Sequence, residues 1–221
     1  MKEPEFKALQ SQAYQYIRER ILNGTLNYNQ IYSESKMAVD IGISRTPVRD
    51  AIHRLYQEGL IDIIPSKGFV LHKMTERDVI ETYETRSAVE GYCSRKLAQE
   101  NQTDSVRLLL SEIQASIDLQ QQIFDHGGDV EQFAEEDQHF HYLMISHSDN
   151  ELFLQIFRQY MHRIKKLACF SLSKEGRMEQ TLFEHREIVQ AIRSGDWQTA
   201  YDATLAHMRA PLDFNLESVY K

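Results

Sequence analysis

Apolar residues recur at three- and four-residue intervals along most of the chain, and one short region breaks that rhythm. The first helical window runs from about Gln10 to Asn23, with Ala13, Tyr16, Ile17, Arg20 and Ile21 on one face. Gly24 follows in the position that ends helices. A shorter window is capped by Ser33, turns Met37, Ala38 and Ile41 inward, and stops at the tight turn of Gly42. A third begins near Ser44 or Thr46. Thr46 suits the N-cap with Pro47 at the first helical position, and Val48, Ala51, Ile52 and Leu55 form the apolar stripe ahead of Gly59. The period then changes. Leu60–Ile64 and Phe69–Leu71 read as two strands about a turn of Pro65, Ser66, Lys67 and Gly68.

From Thr75 the helical period returns and holds, over Thr75–Ala98, Thr103–Phe124, Val130–Ser146, Glu151–Ser171, Met178–Ser194 and Trp197–Leu216. Thr75 with Asp78, and Asp149 ahead of Glu151, are start signals, while Gly127-Gly128 and Gly195-Asp196 mark loops. Helices joined by such short loops pack antiparallel. The predicted class is mainly α: a winged helix-turn-helix over residues 1–73, then an all-α antiparallel helical bundle over 74–221.

Composition narrows the setting. Apolar residues make up 42% and charged residues 26% of 221, the balance of an ordinary globular protein. No apolar run approaches the ~20 residues that span a bilayer, and Met1–Phe6 lacks the apolar core of a signal peptide. Cys93 and Cys169 make neither a disulfide framework nor a zinc ribbon, so a cytoplasmic protein with two free, buried thiols is expected.

The net charge of −8 argues against nucleic acid until it is divided. Residues 1–73 hold 10 Lys/Arg against 8 Asp/Glu, whereas 74–221 hold 15 against 25. Two modules with different partners are implied. Within the first, Arg45 and Arg49 lie four apart at the start of a helix and leave it on one side. An arginine there can grip guanine O6 and N7 with two parallel hydrogen bonds. Ser44, Thr46 and the backbone N–H groups of the helix start suit phosphate oxygens. Lys36 and Lys67 extend the phosphate footprint, and Gly68 lets the wing backbone approach the minor groove.

Ser44-Arg45-Thr46-Pro47-Val48-Arg49-Asp50-Ala51, with Leu55, Glu58-Gly59-Leu60 and Lys67-Gly68-Phe69-Val70, resembles the DNA-binding domain of GntR-type regulators over roughly residues 10–72. The resemblance implies base contacts from Arg45 and Arg49 and a wing glycine at Gly68. Lys36 stands where many members carry arginine; lysine keeps the attraction to phosphate and loses the bidentate geometry.

The remainder resembles the FCD effector domain of the FadR-like branch, through Arg86-Ser87-Ala88-Val89-Glu90, Asp137-Gln138-His139-Phe140-His141, Glu184-His185-Arg186-Glu187-Ile188 and Ala206-His207. Six helices rather than seven look more like the VanR-type subgroup. Asp137 and His141 share one helix face by their spacing; the resemblance adds His185 and His207 as ligands. Three imidazoles and a carboxylate suit a borderline divalent ion, Zn or Ni, and positions left open on it can take a small organic-acid effector. Arg86 is an inward-facing arginine in the family, with an effector carboxylate or Glu90, one turn on, as its partner. His139, His147 and His162 fall outside the motif, and His126 falls in a loop. Most aromatics, among them Tyr83, Tyr92, Phe133, Phe140, Phe153, Phe157, Tyr160 and Phe170, are at core spacing, with one or two available to line a pocket.

These readings converge on a homodimeric regulator that binds a double-stranded, pseudo-palindromic DNA operator under control of an effector, with no membrane and no catalysis. Two other classes use the same residues. The histidine cluster of a metal-dependent hydrolase activates a water, but no nucleophile motif accompanies it here. A bundle that serves only dimerisation leaves its interior without a ligand.

Overall fold

A computed structural model describes residues 3–219 of the chain, which divides into two compact units, Met1–Lys73 and Met74–Lys221. The first unit contains α1 (Glu3–Leu22), α2 (Glu34–Ile41), α3 (Arg45–Gln57), β1 (Ile61–Ile64) and β2 (Gly68–Leu71). The second contains α4 (Glu76–Gln99), α5 (Asp104–Asp125), α6 (Val130–Ser146), α7 (Glu151–Leu172), α8 (Arg177–Ser194) and α9 (Trp197–Val219).

In the first unit, α1 begins well before Gln10. Pro4 falls in its first turn, where a missing N–H breaks no bond, and half-buried Phe6 and Leu9 carry the apolar face back toward it. Its buried face is Ala13, Tyr14 and Ile17, with Tyr16 and Ile21 only half-buried. Ser33 caps α2 by accepting from the Lys36 N–H. The N-cap of α3 is Ser44, not Thr46, which moves Pro47 to the third helical position; the first turn has no intrahelical N–H bonds, so any place in it tolerates proline. Val48, Ala51, Ile52 and Leu55 are buried against α1, the hairpin and Met37 of α2.

The hairpin pairs antiparallel in the register Ile61↔Leu71 to Ile64↔Gly68. It is braced by a bridge in which Tyr32 and Phe69 exchange backbone bonds of 2.8 and 2.9 Å. Gly68 is dictated by that bridge. Its φ is +131°, and a Cβ would stand 2.0 Å from the carbonyl oxygen of Tyr32.

Four of the six helices of the second unit carry side-chain caps, at Thr75, Thr103, Asp129 and Asn150. Thr75 and Asp78 form a full capping box. Asn150, rather than Asp149, caps α7; Asp149 adopts φ +54° in the turn before it. Along α4 and α9 the backbones approach closely at Gly91, where a Cβ would lie 2.9 Å from both Leu205 and Tyr201. That approach brings Arg86 and Glu90 of α4 toward His207 of α9. One proline, Pro211, lies inside α9. Its missing N–H deprives the His207 carbonyl of the usual helical donor. No helix of the described residues is long and apolar enough to cross a membrane. Both cysteines are free; Cys93 is buried, but Cys169 is only half-buried because the helix turns it toward the edge of the core.

Candidate metal centre and nucleic-acid interface

Helix α3 presents two different faces. Toward α1, Asp50 accepts from Gln10 at 2.6 Å, Glu58 accepts from the Tyr14 hydroxyl at 2.8 Å, and Arg54 lies 3.8 Å from the centroid of the Tyr14 ring. These contacts hold the rear of the helix and keep its acidic groups away from the opposite face. There Arg45 and Arg49 remain 60% and 54% exposed, next to exposed Ser44 and Thr46. Both arginines face one carboxylate that the sequence did not single out. Oε2 of Glu34 lies 3.8 Å from Nη2 of Arg45 and 3.3 Å from Nε of Arg49. Lys36 and Lys67 are exposed, the latter at the hairpin tip.

In the second unit Asp137, His141, His185 and His207 come together in the interior. One ligand atom from each lies within 4.8 Å of every other, and all four residues are buried. Nε2 of His141 is 3.3 Å from Nε2 of His207, and Oδ1 of Asp137 is 3.5 Å from Nε2 of His185 and 3.8 Å from Nε2 of His141. Ligands at ~2.1 Å from a tetrahedral ion stand ~3.4 Å apart, so these separations fit one ion. Nε2 of His185 is buried without a hydrogen-bond partner, which a bound cation would remedy.

What turns the three Nε2 atoms inward is the set of acceptors behind them. Nδ1 of His141 lies 2.5 Å from Oε2 of Glu90, Nδ1 of His207 lies 2.7 Å from Oε2 of Glu184, and Nδ1 of His185 lies 3.0 Å from Oε1 of Gln120. A carboxylate or amide oxygen only accepts, so in His185 and His207 the proton belongs on Nδ1 and Nε2 keeps its lone pair, while Nδ1 of His141 meets Glu90 as a close ion contact. Gln120 is itself oriented by donating from Nε2 to the Glu136 carbonyl at 3.2 Å. The His185 ring also stacks on Phe140, with centroids 3.8 Å apart.

Each acidic acceptor is backed by an arginine. Arg86 donates from Nε to Oε1 of Glu90 at 2.8 Å, and Arg177 grips Glu184 through two bonds of 2.8 and 2.7 Å. Glu90 is thus a partner of Arg86 within the chain, while Nη2 of Arg86 remains buried without an acceptor. Burial alone would raise the Glu90 and Glu184 carboxyls; the neighbouring arginine and histidine hold each down at about 2. Burial, reinforced by the cationic groups around it, pushes His185 well below its ordinary value, and burial lowers His207 despite Glu184. Both imidazoles are therefore neutral and available as ligands at neutral pH.

Of the groups behind the ligands, Glu184 fell in the motif beside His185, whereas Arg177 lay just outside the expected helix Met178–Ser194 and carried no signal. Gln120, 65 residues from His185, had no sequence signal. A narrow cleft beside the cluster is lined by Arg86, Asp137, Arg177 and His207. Among the other histidines, His139 and His126 are exposed and His147 and His162 half-buried. Tyr92 is 51% exposed rather than buried in the core, and meets Phe153 edge-on with centroids 5.6 Å apart.

Residues 9–71 match the family model of bacterial regulatory proteins, gntR family, and residues 81–210 match that of the FCD domain. The uncharacterized HTH-type transcriptional regulator YdhC of Bacillus subtilis (strain 168) is 24% identical over 89% of this chain and 86% of its own length. The gluconate operon transcriptional repressor of Bacillus licheniformis is likewise 24% identical, over 81% of this chain and 74% of its own. Among solved structures, Escherichia coli McbR/YncC superposes with a TM-score of 0.69 at 20% identity, covering 96% of this chain and 99% of that one. The chain belongs to the FCD-domain branch of the GntR family of bacterial regulatory proteins, DNA-binding transcription regulators rather than enzymes.

Proposed function

We propose that the protein is a homodimeric, effector-controlled regulator in which a divalent ion, Zn or Ni, held by Asp137, His141, His185 and His207, receives a small carboxylate. The observation that carries this reading is the convergence of three Nε2 atoms and one carboxylate, with every Nδ1 held outward. When bound, the ion supplies a positive charge that draws in an anion. The groups around it agree. Asp137, Glu90 and Glu184 outnumber Arg86 and Arg177 by one negative charge, so a divalent ion leaves one positive charge for one carboxylate to neutralise. Arg86 and Arg177 line the cleft beside the cluster, and Arg177 has a buried Nε without an acceptor, so the two side chains are placed to bind that carboxylate. The six helices of the second unit support the VanR-type subgroup of the FadR-like branch.

On DNA, Arg45 and Arg49 read bases, while Ser44, Thr46, Lys36 and Lys67 hold phosphates and Gly68 keeps the wing narrow. Two copies on a pseudo-palindromic operator follow from matching two-fold symmetry. Effector binding shifts operator affinity by favouring one of two states.

The test is a thermal-shift screen of small carboxylates and sugar acids on metal-loaded and chelator-treated protein, with operator gel shifts on the hits. A carboxylate that raises the melting temperature of the loaded form alone, with the gain lost in His207→Ala, is the expected result. Substoichiometric metal after equilibration, together with unchanged stability of Asp137→Ala and His185→Ala, would leave a bundle that only dimerises.

A further inference from the structure

The second unit contains another cavity, of about 220 Å³, between α4 and α7 with Ile145 of α6 at its inner end. None of the four cluster ligands lines it. Its wall is largely apolar, formed by Val89, Ile145, Ile156, Phe157, Tyr160 and Ile164. The charged groups facing it are Arg86, Glu90, Arg163 and Glu81.

Two of these are acids, so charge alone does not select the occupant. Hydrogen-bonding capacity does. Glu90 gives Oε1 to Nε of Arg86 and turns Oε2 to Nδ1 of His141, a close ion contact rather than a hydrogen bond, so both oxygens are directed at groups within the chain. Glu81 lies at the exposed rim, held by Arg77 at 2.6 Å. The arginines are not saturated. Arg163 pairs through Nη2 with Asp78 at 3.2 Å, but its Nε is buried without an acceptor. Arg86 is 7% exposed, and its Nη2 is buried in the same condition. A buried donor without an acceptor is unfavourable until an oxygen meets it, and two residues with such donors line one apolar cavity.

We infer that this cavity is a second, metal-independent ligand site, which takes a monocarboxylate with one aromatic ring or branched chain. The carboxylate accepts from Arg86 and Arg163, and the apolar body packs among Phe157, Tyr160 and Ile164. The volume is below the roughly 300–1,000 Å³ of drug-sized sites, which restricts the ligand to one ring or one short chain. A polyhydroxylated acid is excluded by the wall, because its hydroxyls would be stripped of water without replacement partners. The site goes beyond the metal-centred reading and shares with it only Arg86.

The experiment is calorimetric titration of the full-length protein with hydrocinnamate, before and after chelator treatment, with hydrocinnamyl alcohol and gluconate as comparison probes. Saturable hydrocinnamate binding that survives chelation is expected, with the alcohol and gluconate at least roughly tenfold weaker. Thr85→Trp, which fills the cavity from its half-exposed wall, and Arg163→Gln should each weaken hydrocinnamate by a similar factor and leave zinc affinity unchanged. Binding lost on chelation and indifferent to Thr85→Trp would place the acid on the metal, overturning this inference while supporting the metal-centred one. No binding in either state, or equal binding of the alcohol, would also overturn it. That result would leave the metal site untouched.

Discussion

Nε of Arg49 lies 3.3 Å from Oε2 of Glu34, so a carboxylate on the neighbouring helix holds a side chain proposed to read DNA before any DNA is present. The same oxygen is 3.8 Å from Arg45. Glu34 therefore restrains both arginines and repels the phosphates that flank the bases they are proposed to read. Glu34→Gln should tighten binding to random duplex and steepen the salt dependence by about one unit of log–log slope, while narrowing the gap to operator. Fluorescence anisotropy on both duplexes at several salt concentrations measures this. Uniformly weaker binding would show that the carboxylate does not restrain the arginines.

Base reading and phosphate holding separate in a second pair of variants. Arg49→Ala should lose about 1–3 kcal/mol of discrimination between operator and altered sites. Lys67→Ala should weaken all duplexes alike and reduce the salt slope by about one. Gel shifts against an operator mutated one base pair at a time distinguish the two, and an unchanged specificity profile for Arg49→Ala would remove that residue from the bases.

Gln120 touches no ligand atom directed at the ion, yet it fixes which nitrogen of His185 carries the proton. Gln120→Leu should lower zinc affinity by roughly 10–100-fold with the helical content retained. Competition against a chromophoric chelator reads the affinity, and circular dichroism reads the fold. Wild-type affinity in the variant would mean that Phe140 stacking alone orients the ring.

The metal-free protein should lose stability as pH falls. His185 and His207 titrate below their unfolded value of ~6.5 when folded. Between that value and the folded one the unfolded chain binds more protons, so acidification favours unfolding. Glu90 and Glu184, held at about 2, add a further decline as pH drops through ~4.3 toward that range. Denaturant midpoints in chelator from pH 8 to pH 4 test this, and His185→Gln should flatten the upper part of the curve. A midpoint that rises on acidification would contradict the neutral imidazoles.

Gly91→Val should destabilise the second unit by about 1–3 kcal/mol, because the added carbons meet Leu205 and Tyr201. Thermal melts against an exposed control such as Ser105→Ala provide the comparison.

What the sequence disclosed follows the range of the forces involved. Caps act over three residues, so Ser33 and Thr75 were legible, and so was the stripe of α3. Local ambiguity accounts for the shifts at Thr46 and Asp149, where a second polar residue one or two positions away also suits a cap and backbone geometry chose between them. The limits of the long helices agree within a residue or two in α4 to α8, whereas α1 starts at Glu3 rather than near Gln10, because Phe6 and Leu9 continue its apolar face. In the cluster, Asp137 and His141 were joined by helical spacing. His185 and His207 reached them only through family resemblance, because contacts across three helices leave no periodic trace. Gln120 and the cavity between α4 and α7 were invisible for the same reason.

The bridge between Tyr32 and Phe69 has a consequence for how the first unit can vary. The residue that ties down the wing, Tyr32, directly precedes Ser33, which starts α2, and its carbonyl occupies the space where any side chain at position 68 would begin. The wing is therefore not a free arm but the far end of a lever whose pivot is the entrance to α2. A longer or shorter turn at 65–67 cannot be absorbed at the tip. It must either displace Tyr32, and with it the helix that carries Glu34, or change the height at which Lys67 is offered.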